Sequence, residues 1–172
     1  MIRNVVDSIN SLYSLTFEDV VLGVVHPHDN KGMLIPASSD GTAYPDAIPD
    51  SSRKSIMYWE DYGATTWRRT ARYRFVEHRL RLVVWLNFDR IEESYEECIR
   101  QIHANLPRKI GNVLVEVTGQ VPKSTDIFSR YDYQERKQYI TYPYDVVALE
   151  VTVKYPEVKC PVPMDIDEDV SE

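Results

Sequence analysis

His26, His28 and Asp29 are the most compact group of metal-ligand side chains in the sequence, because imidazole nitrogen and carboxylate oxygen could share a zinc-like ion. Their spacing argues against that use. Two histidines flanking Pro27 sit at i and i+2, no HExxH helix backs them, and His78 and His103 fall in a different strand and helix. A nucleophile would need an exposed bend such as Gly-x-Ser-x-Gly, and no such string occurs. Cys98 lies on the apolar stripe of a helix, where a free thiol packs as core. Glu92, Glu93, Glu96 and Glu97 resemble paired carboxylates, but they line the first turn of that helix, where its dipole favours acids. No residue is assigned a catalytic or metal-binding role, and a small metal-dependent hydrolase around His26, His28 and Asp29 is the weakest functional reading. No cofactor is expected, since neither GxGxxG nor GxxxxGK[ST] appears and the chain holds only six glycines.

A denser group follows. Arg68, Arg69, Arg72, Arg74, Arg79 and Arg81 crowd around Trp67, Tyr73 and Phe75, a composition suited to phosphate or to a protein interface. Residues 53–81 hold eight basic and three acidic side chains, whereas residues 156–172 hold one basic and six acidic. Opposite charges at separate ends suit head-to-tail contacts between copies. A nucleic-acid-binding module using 68–81 is the alternative, opposed by a net charge of -7 over the whole chain. Arg68, Arg69, Arg72, Arg74, Arg79, Arg81 and Trp67 are therefore the candidate interface residues.

These side chains need a scaffold, and 172 residues with 43% hydrophobic content suffice for one core. Two distant cysteines, Cys98 and Cys160, make no framework and fit a reducing compartment. Ile2, Val5, Val6, Ile9, Leu12 and Tyr13 share one face of a helix over 2–13. The block 20–25 and the run Met33-Leu34-Ile35 read as a hairpin around 27–32. Residues 37–67 read as a long loop excursion, with a weak strand pair in 56–67. Val76, Leu80, Leu82, Val84, Leu86 and Phe88 alternate with Glu77, Arg79 and Arg81 in the clearest strand, with a bulge or a tight reversal expected near Phe75-Val76. Ile91 to Leu106 repeats at helical spacing and Pro107 ends it. Val113, Val115 and Val117 make a strand, Lys123–Asp126 caps a short helix, and Val147 to Tyr155 alternate in a last strand. The order predicts an α+β domain over 1–155, with a mostly antiparallel or mixed sheet, the N-terminal helix and a second amphipathic helix packed on one side, and an acidic tail over 156–172.

The N-terminal helix, the strand-to-helix unit Arg79-Leu80-Arg81-Leu82-Val83-Val84-Trp85-Leu86-Asn87-Phe88 into Ser94–Leu106, and the closing Tyr142-Pro143-Tyr144-Asp145-Val146-Val147-Ala148-Leu149-Glu150-Val151-Thr152-Val153 resemble tail-terminator (tail-completion) proteins of long-tailed bacteriophages and prophages. The likeness covers 1–27 and 71–155. It implies a non-enzymatic virion protein of the tail or neck, assembled in the host cytoplasm, whose homo-oligomeric ring, commonly a hexamer, caps the tail tube and faces the head connector. It also implies that the long strand and its arginine-rich approach lie between subunits; separately, the lack of eighteen consecutive apolar residues argues against a membrane partner and the net charge of -7 against direct DNA binding. The excursion and the acidic tail depart from the family's minimal pattern.

Overall fold

The structure is a computed structural model that describes residues 2–38, 51–68, 74–123, 125–132 and 136–157. In chain order it contains α1 (Ile2–Leu12), β1 (Val20–Asn30), β2 (Met33–Ala37), β3 (Ser55–Arg68), β4 (Arg74–Asn87), α2 (Tyr95–Asn105), β5 (Lys109–Ile110), β6 (Val113–Val121) and β7 (Tyr144–Glu157). Two short 3-10 turns, Thr125–Phe128 and Arg136–Ile140, lie between β6 and β7. The seven strands form one mixed sheet in the order β2-β1-β3-β4-β7-β6-β5, in which β1 and β3 run parallel and the other neighbours antiparallel. The fold is mixed α+β. No helix among the described residues is long and apolar enough to cross a membrane.

The alternation in β4 divides the core. Leu80, Leu82, Val84 and Leu86 are buried with Val6 and Ile9 of α1 and Cys98 and Ile102 of α2, so both helices cover one sheet face. Val83 and Trp85 point the other way, where Ile127, Phe128 and Tyr131 from the 3-10 region cover them. Burying each such side chain contributes about 1.5–3 kcal/mol. The Ser94 hydroxyl accepts from the Glu97 amide at 3.2 Å to start α2, and the exposed Glu97 carboxylate pairs with Arg100, whose hydrogen bonds hold it down at about 2.

The expected hairpin is present but longer, because β1 continues through His26, Pro27 and His28 and reverses at Lys31 and Gly32. Both turn residues have positive φ, 55° and 83°, as a two-residue primed turn requires, and the Asp29 carboxylate accepts from the Gly32 amide at 2.7 Å. The excursion expected over 37–67 is corrected in its second half. Ser55–Arg68 is an inner strand between β1 and β4. Its run Ile56, Met57, Tyr58 and Trp59 does not alternate because this stretch of sheet is covered on both faces, and all four side chains are buried. The first half of the excursion, from residue 39 to 50, lies outside the described residues.

Three smaller expectations also change. The bulge sits on β3 between Asp61 and Ala64, while β4 pairs with β7 without interruption from Arg74 to Asn87. The short helix after Lys123 is a 3-10 turn. β7 continues through Pro156 to Glu157, opposite Phe75 and Arg74, so the tail starts later than expected; residues 158–172 lie outside the described residues.

Candidate functional site

Among the described residues the 3-10 cover reaches only part of the second sheet face. Beyond Val83 the same parity of β4 presents Arg81, Arg79 and Glu77, and the facing positions of β7 present Glu150, Thr152 and Lys154. Register sets the charge pattern there. Glu60 of β3 lies opposite Arg81, and Arg81 lies opposite Glu150, giving a row of alternating sign across three strands.

Glu60 is wholly buried. One carboxylate oxygen, Oε2, accepts from the Tyr62 hydroxyl at 3.0 Å and lies 3.8 Å from Nη1 of Arg81. Among the described residues the other, Oε1, and the Nε of Arg81 are buried without a hydrogen-bond partner. Tyr62 lies two residues past Glu60 and so on the same face of β3, at the bulge where Gly63 takes φ 92°. The guanidinium of Arg81 stands 4.7 Å from the ring centroid and that of Arg130 stands 4.9 Å from it. Burial, followed by the negative charge of Glu60, pushes the Tyr62 phenol up to about 12. Arg130 also donates to the Asp61 carbonyl at 3.1 Å, and the Asp61 carboxylate meets Nε2 of His78 at 2.7 Å. An open pocket of about 140 Å³ is lined by Tyr62, Arg79, Leu80, Arg81, Thr118, Glu150, Val151 and Thr152.

No protein-family model, curated protein or solved structure matches this chain. The site is therefore read from its own geometry. Arg79 and Arg81 come together at the pocket. Trp67, Arg68 and Arg74 stand further along β3 and β4, in the pairs Trp67↔Phe75 and Arg68↔Arg74. Arg69 and Arg72 lie outside the described residues. Around the pocket the positive charge is interleaved with acid: Arg81 between Glu60 and Glu150, Lys154 3.0 Å from Glu116 and 3.8 Å from Glu77. A polyanion meets opposing carboxylates on such a face, whereas a protein surface of matching alternating charge does not.

His26, His28 and Asp29 lie on β1, paired with Ala37, Ile35 and Leu34, and Asp29 is engaged in the hairpin turn. Among the described residues no three metal-ligating side chains converge. Cys98 is fully buried between α2 and the sheet, and burial pushes its thiol up to about 12. Glu60, Tyr62, Arg130 and Glu150 escaped sequence reasoning. One signal for Glu60 was present, a carboxylate directly after the apolar run Ile56–Trp59.

Proposed function

We propose that this protein is a non-enzymatic, ring-forming virion subunit, a tail-terminator or tail-completion protein that caps a tail tube and joins it to the head connector. Element order and the resemblance of its strand-to-helix unit support the reading. The observation that carries it is the sheet face left half-covered among the described residues, where Arg79, Arg81 and Glu150 line an open pocket with charge of both signs. A second copy of matching alternating charge gains from electrostatic complementarity when it docks there. On this reading the face lies between copies in a hexamer, the tail tube and connector contact the ring, and the protein resides in the tail or neck after assembly in the host cytoplasm.

The nucleic-acid alternative keeps only the arginine count in its favour, since the described part of the basic segment is interleaved with acid. Native mass measurement and negative-stain imaging of the full chain test the proposal. Closed rings are expected, weakened by Arg79→Glu together with Glu150→Lys and by rising salt, with no retention on DNA at moderate salt. A chain that stays monomeric at high concentration and in the presence of tail-tube protein overturns the proposal.

A further inference from the structure

The two ends of the sheet are finished differently. At the β2 end, Asp132 occupies the outer edge: its carboxylate accepts from the Leu34 amide at 3.1 Å and its own amide donates to the Leu34 carbonyl at 2.6 Å. At the other end β5 covers only Val113 and Leu114, and the Val115 amide donates to Arg108. From Glu116 to Val121, β6 pairs with β7 on one side and, among the described residues, with no strand on the other. Such an edge is a template for an added extended segment.

Beside this open edge, on the helix side, lies a groove of about 350 Å³. Leu106, Pro107, Val115 and Val117 supply its apolar surface, and His103 and Arg108 its rim. Lys109 adjoins Arg108 on β5; all three basic side chains are exposed, and among the described residues none carries an ion pair or side-chain hydrogen bond. The groove's single acid, Glu116, is already held by Lys154 at 3.0 Å.

The sequence beyond β7 complements these features. Met164, Ile166 and Val170 share one parity and Asp165, Asp167 and Asp169 the other, the period of a strand, broken on the apolar side only by Glu168. β7 ends at Glu157, three residues past Lys154, which faces Leu114 at the start of β6. To reach its own groove the chain must turn back alongside β6. The intervening Val158-Lys159-Cys160-Pro161-Val162-Pro163 contains no glycine or asparagine for a reversal that needs positive φ. A stretch of thirteen residues from 158 to 170 spans up to about 40 Å, enough to reach a neighbouring molecule.

The geometry points to the β6 groove as the receptor for the acidic C-terminal segment of a second copy, with Met164 and Ile166 on its apolar surface and the aspartates against Arg108, Lys109 and His103. This deepens the assembly reading by naming one contact, and it rests on copies meeting. Groove and tail are different surfaces, so the contact is heterologous and repeats from copy to copy until a ring closes.

The probe is a labelled synthetic peptide of residues 158–172, added to full-length protein carrying Asp165→Lys, Asp167→Lys and Asp169→Lys so that its own tail does not compete. Saturable, salt-sensitive binding is expected, reduced at least tenfold by adding Arg108→Glu and Lys109→Glu, and reduced less by Arg108→Gln and Lys109→Gln. Absence of binding, or binding indifferent to both pairs, overturns the inference. In a second measurement the full-length groove variant and the full-length tail variant are mixed. One intact groove then meets one intact tail, so heterodimers and nothing larger are expected. Peptide binding to the tail variant beside a wild-type chain that stays monomeric means that each tail fills its own groove and overturns the second-copy assignment. Rings that persist in the groove variant overturn this contact while leaving the proposed function standing.

Discussion

Replacing Arg81 by methionine removes the cation nearest a wholly buried carboxylate and keeps most of the side chain's bulk. The separation of 3.8 Å between Nη1 and Glu60 Oε2 sets the scale. Two unit charges at that distance interact by about 4 kcal/mol at an effective dielectric of 20. Removing one partner of such a pair typically costs about 3–5 kcal/mol, because the other charge stays buried. Glu60 keeps the Tyr62 hydroxyl, but that ring loses one of its two guanidiniums. Urea unfolding at a dilution where the chain is monomeric reads the effect directly. With a slope of about 2 kcal/mol per molar, the midpoint falls by roughly 1.5 to 2.5 M. The double variant Glu60→Leu with Arg81→Met removes the stranded charge as well and recovers most of the loss, since apolar replacement of a buried pair is often neutral. A single variant that loses less than about 1 kcal/mol behaves like an exposed pair and refutes the reasoning. So does a double variant no more stable than the single.

Leu82→Ala, at a fully buried position between the sheet and both helices, should cost about 2–5 kcal/mol and lower the melting temperature by roughly 10 °C in a calorimetric scan. Gly63→Ala should cost about 1–2 kcal/mol by chemical unfolding, because its φ of 92° strains any side chain although open space surrounds it. Burial raises the phenols of Tyr13, Tyr62, Tyr95 and Tyr155 in the folded state. Their contribution to stability is therefore complete below the ordinary tyrosine value near 10 and is lost as pH rises through the Tyr62 value of about 12, which a phenolate absorbance titration followed alongside unfolding should reveal. In limited proteolysis Ser55–Arg68 should resist cleavage as well as residues 80–106 do, and early cutting within 55–67 would contradict its place inside the sheet.

Legibility in the sequence followed how many faces of an element are covered. The stretch of β4 from Val76 to Leu82 shows its alternation because its second face carries Glu77, Arg79 and Arg81 beyond the 3-10 cover, and α1 and α2 show theirs because each buries a single stripe. β3 concealed itself, since Ile56 to Trp59 are buried on both faces and leave no period to detect. The charged cluster was harder still. Glu60, Arg81 and Glu150 are remote in the chain and meet only through strand register, and the bulge beside Tyr62 has the single residue Gly63 as its sequence mark. Arg79 and Arg81 could be recognised as exposed-face residues, but not that acids stand beside Arg81.

The central position of β7 governs when this protein can fold. Every β4–β7 pair joins residues more than fifty positions apart, and β6 has no inner neighbour until β7 arrives. During synthesis α1 and β1 to β4 emerge first, leaving the β4 edge and its row of leucines and valines exposed until residues 144–157 are available. Non-local pairing of this kind is slow, and waiting edges attract other chains. Neighbouring nascent chains emerging together are therefore each other's principal hazard, and the folding yield of this protein should depend on how sparsely it is translated.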